Sequence, residues 1–264
     1  MLKIQNHKMK TRFKNVIFLL LLLKMCFIFG QPIEPKKLIV IDVGHGGKDT
    51  GAIGINGIME KEVVLQLANE ILRLNIEQSN LEIYLTRYND TLISLTDRTK
   101  LARALKADVF ISLHCNHAEN SGATGTEIFV ANTGLSQNLR QSIYLAHQIH
   151  SGITSNFGIK SRGVKFSNFQ VLRETIASCP SILIELCFLS NWDEAEYLSE
   201  NSNLKALAVS IMNSLIKSSK LWKHYLYCWQ EWFVRFWGFW WGKCGGFLGK
   251  NNVCNNLDSG EGKV

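Results

Sequence analysis

A β-rich apolar run at Lys37–Val43 ends in a glycine-rich turn, and a helix-periodic segment at Glu60–Ile76 then places Val63, Val64, Leu67, Ile71 and Leu74 on one face. The same alternation repeats down the chain. Further strands are expected at Leu81–Thr86, Asp108–His114, Thr126–Ala131, Phe169–Leu172 and Ser181–Leu186. Helices are expected from Ser94, with Asp97 three residues on as in a capping box, to about Lys106, and at Ser136–Thr154, Trp192–Glu200 and Asn203–Lys217. Strands alternating with helices over this length imply one α/β domain. Its core is a twisted, mostly parallel but mixed sheet of about six strands flanked by helices. No internal repeat is visible.

The two ends of the chain differ from this middle. Residues 1–15 carry Lys3, Lys8, Lys10, Arg12 and Lys14 with no acid, and an apolar run from Val16 to Phe29, broken only by Lys24, ends at Gly30. That is the pattern of a secretory signal peptide, followed by a short linker at 31–36. Export to a periplasmic or cell-wall location is the expectation. Met9 is an alternative start, and an uncleaved amphipathic anchor is an alternative reading of the segment. Six of the 29 basic residues and none of the 22 acidic ones lie in residues 1–30, so the remainder carries 23 basic against 22 acidic groups. Six units of the formal net charge of +7 therefore belong to the leader, and nucleic acid is not an expected partner. At the other end, residues 221–264 hold six of the seven tryptophans with neither helical nor strand periodicity. A membrane-surface contact, a glycan-stacking surface and irregular packing are the readings of this tail. Cys26 lies in the leader, and the other six cysteines show no paired metal-binding spacing. Buried free thiols are expected at Cys115 and Cys187.

Within the domain, His45 follows the first strand, His114 ends a later one, and Glu60 opens a helix, where the helix dipole favours an ionised carboxylate. Two imidazoles and one carboxylate are the donors of an open catalytic zinc site. A second acid, Glu185, lies on the strand at Ser181–Leu186 and could exchange a proton with water at the open position. Spacings of 15 and 54 residues are weak evidence by themselves, and composition cannot name the bond that is cut. Other residues read more plainly. The glycines at 44–47 do not make a phosphate-binding loop, because Asp49 stands where Ser or Thr is needed. His147 and His150 read as surface histidines on a helix, and His117 as a loop residue. Asn116 shares the face of His114 and reads either as a substrate or supporting contact or as a turn asparagine.

Several motifs in sequence order give the chemistry a more specific reading. They are IVIDVGHGGKDTGA at 39–52, GIMEKE at 57–62, LTR at 85–87 with LTDR at 95–98, FISLHCN at 110–116, VLR at 171–173 and IELCFLSN at 184–191. Together they cover about residues 37–217, and the chain resembles the zinc-dependent N-acetylmuramoyl-L-alanine amidases. The resemblance implies a phosphorylase/hydrolase-like catalytic domain at 37–220, with His45, Glu60 and His114 as zinc ligands and Glu185 as the acid-base. It also implies peptidoglycan as the partner and hydrolysis of the amide between N-acetylmuramic acid and L-alanine, in wall turnover or daughter-cell separation. Two departures stand out: Val43 replaces a common proline, and Cys187 replaces a common glycine. Because alternate strand residues share a face, Cys187 could point with Glu185 toward the metal pocket, as a tolerated small side chain or a competing thiolate. Arg87 and Arg98 are expected either to meet stem-peptide carboxylates or to form salt bridges within the fold. The short stretch at 132–139 leaves little room for a helical lid, so a monomer active without an activator is expected. A zinc peptidase acting within stem peptides and a noncatalytic wall-binding protein are the rival functions.

Overall fold

Three runs that read as apolar in sequence, β1 (Lys37–Val43), β3 (Val109–Asn116) and β6 (Ser181–Phe188), lie side by side in the middle of one sheet. In the computed structural model, which describes residues 36–78 and 81–218 together with Phe18, six strands run in the order β2-β1-β3-β6-β4-β5. Strands β2 (Leu81–Leu85), β4 (Thr126–Ala131) and β5 (Ser161–Ser167) complete it. All neighbours pair in parallel except β4 with β6, so the sheet is mixed as expected. The central strands are covered on both faces, which is why they carry near-continuous apolar sequence rather than alternation. The expected leader and tryptophan-rich tail, with Cys26, Cys228, Cys244 and Cys254, lie outside the described residues. Among the described residues no helix is long and apolar enough to cross a membrane.

Helices fill the connections. They are α1 (Glu60–Gln78), α2 (Leu95–Ala104), α3 (Gln137–Phe157), α4 (Gln170–Thr175), α5 (Trp192–Ser199) and α6 (201–218). Ser94 caps α2 by accepting from the Asp97 N–H at 3.2 Å, and its hydroxyl donates to the Asp97 carboxylate at 2.7 Å. Ser136 caps α3 in the same way through the Leu139 N–H. Along β4, Ile128 and Val130 are wholly buried on the face where α3 packs. Glu127 and Phe129 point to the opposite face, where Phe129 meets Phe169 edge to face at 5.2 Å between centroids.

Two expectations are corrected. Phe169–Leu172 is not a strand: Phe169 precedes α4, in which Val171, Leu172 and Thr175 are buried at helical spacing. A short apolar run does not distinguish the two states, and the strand in this region is instead Ser161–Ser167. That strand forms an edge of the sheet, with Arg162, Gly163 and Lys165 interrupting its apolar character and a register irregularity near its start. Charges, glycine and bulges are usual on edges, where they discourage pairing with other chains. His150 is the second correction. It is buried on the inner face of α3 beside Ile149 and Ile153, and its Nε2 accepts from the Gly163 N–H at 3.2 Å. Burial, its largest influence, pulls its pKa below 6.5.

Candidate metal centre

The β1 strand ends in a turn whose backbone is forced into an unfavourable shape. His45 has φ +55°, in the left-handed region that costs a non-glycine residue on the order of 1–3 kcal/mol. Two buried arginines hold it there. Arg87 donates to the carbonyls of Val43, Gly44, Asn89 and Lys61, and Arg98 donates to those of Val43, His45 and Ile93 and to Asp42 Oδ1 at 3.0 Å. Asp42 is itself buried and also accepts from Ser112 and Thr86. The two arginines are 3% and 2% exposed with their donors spent on the fold, so neither reaches a substrate carboxylate. They support the loop that carries His45.

With the turn so fixed, His45 Nε2 lies 3.0 Å and His114 Nδ1 2.9 Å from Glu60 Oε1. One donor atom from each of the three residues falls within 4.8 Å of the others. Each donor comes from a different place in the fold: the turn after β1, the first residue of α1, and β3. The outer contacts are also made. His45 Nδ1 donates to Asp49 Oδ2 at 2.9 Å, and Glu60 accepts from the backbone N–H of Ala52 and Cys115. Burial would raise the Glu60 carboxyl, but its hydrogen bonds to His114 and His45 outweigh that and hold it well below the usual carboxylate range. Burial lowers the His45 pKa, and Glu60 and Asp49 more than reverse the effect. An ionised carboxylate between two imidazoles, one of them oriented by a second acid, suits a divalent cation. Tetrahedral bonds of about 2.0–2.1 Å separate neighbouring donors by roughly 3.3 Å, so the two contacts to Glu60 at 3.0 and 2.9 Å need only a small expansion to admit an ion.

Glu185 stands next to this group, since its residue pairs with His114 across β3 and β6. Its Oε2 is buried without a hydrogen-bond partner. Burial is the main reason its carboxyl is pushed up to about 7; Glu60 and Glu127 add to the rise, and the two histidines oppose it. Such a group exchanges protons near neutral pH.

Residues 39–217 match the family model described as N-acetylmuramoyl-L-alanine amidase. The chain belongs to this family. The endolysin of Bacillus phage SPP1 is 37% identical over 173 residues, which are 66% of this chain and 62% of that protein. The amidase LytC of Bacillus subtilis is 37% identical over 164 residues, 62% of this chain and 32% of LytC. The chain thus spans less than two thirds of either relative. Among solved structures, the N-acetylmuramoyl-L-alanine amidase of Clostridium difficile 630 superposes with a TM-score of 0.66 at 32% identity, covering 71% of this chain and 98% of that one.

The amidase fold also locates the remaining expected residues. Asn116 donates from Nδ2 to Glu127 Oε1 at 2.5 Å. Cys187 does not share the pocket with Glu185. Between His114 and Asn116 the β6 partner advances from Glu185 to Phe188, a bulge that breaks the alternation, and Cys187 is 1% exposed within the core. Cys115, Cys179 and Cys187 are buried free thiols; burial drives the pKa of Cys179 to about 12 and those of the others well above their ordinary value. Glu127, which the sequence reading did not single out, is 6% exposed and pairs with Glu185 in register across β4 and β6. Nothing in its local sequence marks it beyond an acid on an otherwise apolar strand.

Proposed function

We propose that the chain is a zinc-dependent hydrolase that cuts the amide between the lactyl group of N-acetylmuramic acid and the L-alanine of peptidoglycan stem peptides. His45, Glu60 and His114 would hold the ion. Bound there, zinc supplies Lewis acidity toward the amide carbonyl and toward water. Glu185 does the proton work: its carboxylate accepts a proton from the attacking water and returns it to the departing L-alanine nitrogen. The observation that carries this reading is the unpartnered Oε2 of Glu185, beside the three donors on a carboxyl that burial holds near neutrality. Asp49 fixes the His45 ring, while Arg87 and Arg98 hold the backbone beneath it.

The family, the basic leader at 1–30 and the catalytic span at 37–220 together support action outside the cytoplasm, in the periplasm or at the wall, during wall turnover or cell separation. The tryptophan-rich segment at 221–264 would contact a membrane surface or glycan. Only residues 132–136 join β4 to α3, which supports a monomer active without an activator protein. Digestion of purified sacculi followed by mass spectrometry tests the assignment. Intact stem peptides freed from the sugar are expected, with no release by Glu185→Ala. Shortened stems still attached to muramic acid would replace the amidase assignment with a peptidase.

A further inference from the structure

The buried carboxylate of Glu127 gathers two cations that face solvent. Arg162 Nε lies 3.1 Å from Glu127 Oε2, and Lys165 Nζ contacts the same oxygen, leaving Oε1 to Asn116. The Glu127 side chain is 7% exposed, whereas those of Arg162 and Lys165 are 31% and 41% exposed. A group arriving from solvent therefore meets the cations first. Each cation also rests on an aromatic ring: the Arg162 guanidinium is 4.8 Å from the centroid of Phe188, and Lys165 Nζ is 6.0 Å from that of Phe129. The other acid near Arg162 is Glu194, whose oxygens accept from the Gly125 and Phe188 N–H groups, and Lys160 stands near it. Arg162, Lys165 and Lys160 thus gather around Glu127 and Glu194, and the cations are the groups that solvent reaches.

Its place relative to Glu185 gives this charge a use. Glu185 pairs with Glu127 across β6 and β4, and Lys165 on β5 pairs with Phe129, two residues beyond Glu127 on the same face. The charged ends of Arg162 and Lys165 reach back from β5 to Glu127, one strand from Glu185, so they stand between one and two strand spacings, or about 5–10 Å, from Glu185. An extended peptide advances about 3.4 Å per residue, so a peptide whose first nitrogen is at Glu185 brings the side chain or carboxylate of its second residue to this distance.

We propose that Arg162 and Lys165 form a subsite for a carboxylate on the residue that follows L-alanine, making the chain selective for stem peptides with that group free rather than amidated. The subsite rests on the amidase reading for which residue comes first. Its test uses two synthetic probes, N-acetylmuramoyl-L-alanyl peptides whose second residue carries either a free carboxylate or the matching primary amide. The zinc-loaded full chain is expected to favour the acid probe roughly tenfold in kcat/KM, through KM. Lys165→Met is expected to abolish the preference, bringing the acid probe to the level of the amide probe, while Lys165→Arg restores it. Calorimetric binding of the two free dipeptides reads the same selectivity without catalysis. Equal handling of both forms by the wild type, or an equal loss on both with Lys165→Met, overturns the subsite. Selective dipeptide binding by a protein that cleaves neither probe would keep the subsite and overturn the amidase reading.

Discussion

Replacing Arg98 by methionine keeps an unbranched apolar stem and removes every donor. The carbonyls of Ile93, Val43 and His45 lose bonds of 2.9, 2.7 and 2.9 Å, and Asp42 loses its ionic partner at 3.0 Å. Asp42 keeps the hydroxyls of Ser112 and Thr86 and the more distant charge of Arg87 but becomes a buried charge with no cation bonded to it. Removing one partner of a buried pair costs about 3–5 kcal/mol, far more than the pair itself is worth. For a domain of this size that is a fall of roughly 6–20 °C in Tm. The left-handed backbone of His45 loses one of its anchors too, so zinc affinity is expected to drop about 10- to 100-fold. Urea unfolding of the metal-free protein and zinc titration against a chelating dye measure the two effects. Asp42→Asn in the Arg98→Met background is expected to recover part of the stability, because it removes the orphaned charge. A stability loss below about 1 kcal/mol, the scale of a surface pair, would refute the reasoning, as would zinc binding equal to wild type.

The other predictions concern the metal loop, the ion and pH. Gly51 has φ +63°, and a Cβ there would lie 2.5 Å from Glu60 Oε2 and 2.6 Å from His45 Cδ2, so Gly51→Ala is expected to weaken zinc binding at least about tenfold in the same titration. Gly134→Ala, with nothing within 4 Å, serves as the silent control. Zinc at about 1,000 times its Kd should stabilise the wild type by roughly 4 kcal/mol, seen as a Tm increase that chelator reverses and that His114→Ala lacks. His150 binds its proton less readily folded than unfolded, so its contribution to stability is complete above pH 6.5 and is lost as pH falls from 6.5 toward its lower folded value. Thermal melts across that window should show a slope that His150→Gln flattens; an unchanged slope would exclude His150 as its source.

The doubly covered strands were legible because burial on both faces writes itself into consecutive residues, as in Lys37–Val43 and Ser181–Phe188. Helix starts at Ser94 and Ser136 were legible because capping is local chemistry. Strand β5 was not, since an edge strand with Arg162, Gly163 and Lys165 carries little apolar signal. The three clustered donors His45, Glu60 and His114 lie in segments that the motifs picked out, but the bonds that support them join residues as far apart as Asp42 and Arg98 or Gly44 and Arg87. No spacing rule reports such contacts before the topology is known. Arg87 and Arg98 were therefore open between substrate and fold, and only burial decided for the fold.

The reversal of β4 is the feature on which the site most depends. In a wholly parallel sheet the start of β4 would lie at the end opposite His45 and His114. Antiparallel pairing with β6 instead brings Glu127 beside Glu185, and parallel pairing of β5 with β4 carries Arg162 and Lys165 along. A slip of one residue would turn Glu127 toward α3 and Ile128 away from it. That slip would bury an uncompensated carboxylate and expose two apolar side chains, each unfavourable on its own. The same alternation that seals the core under α3 thus fixes the polar row above it, so the Glu185 carboxyl and its cationic neighbours are placed by the register that stabilises the sheet.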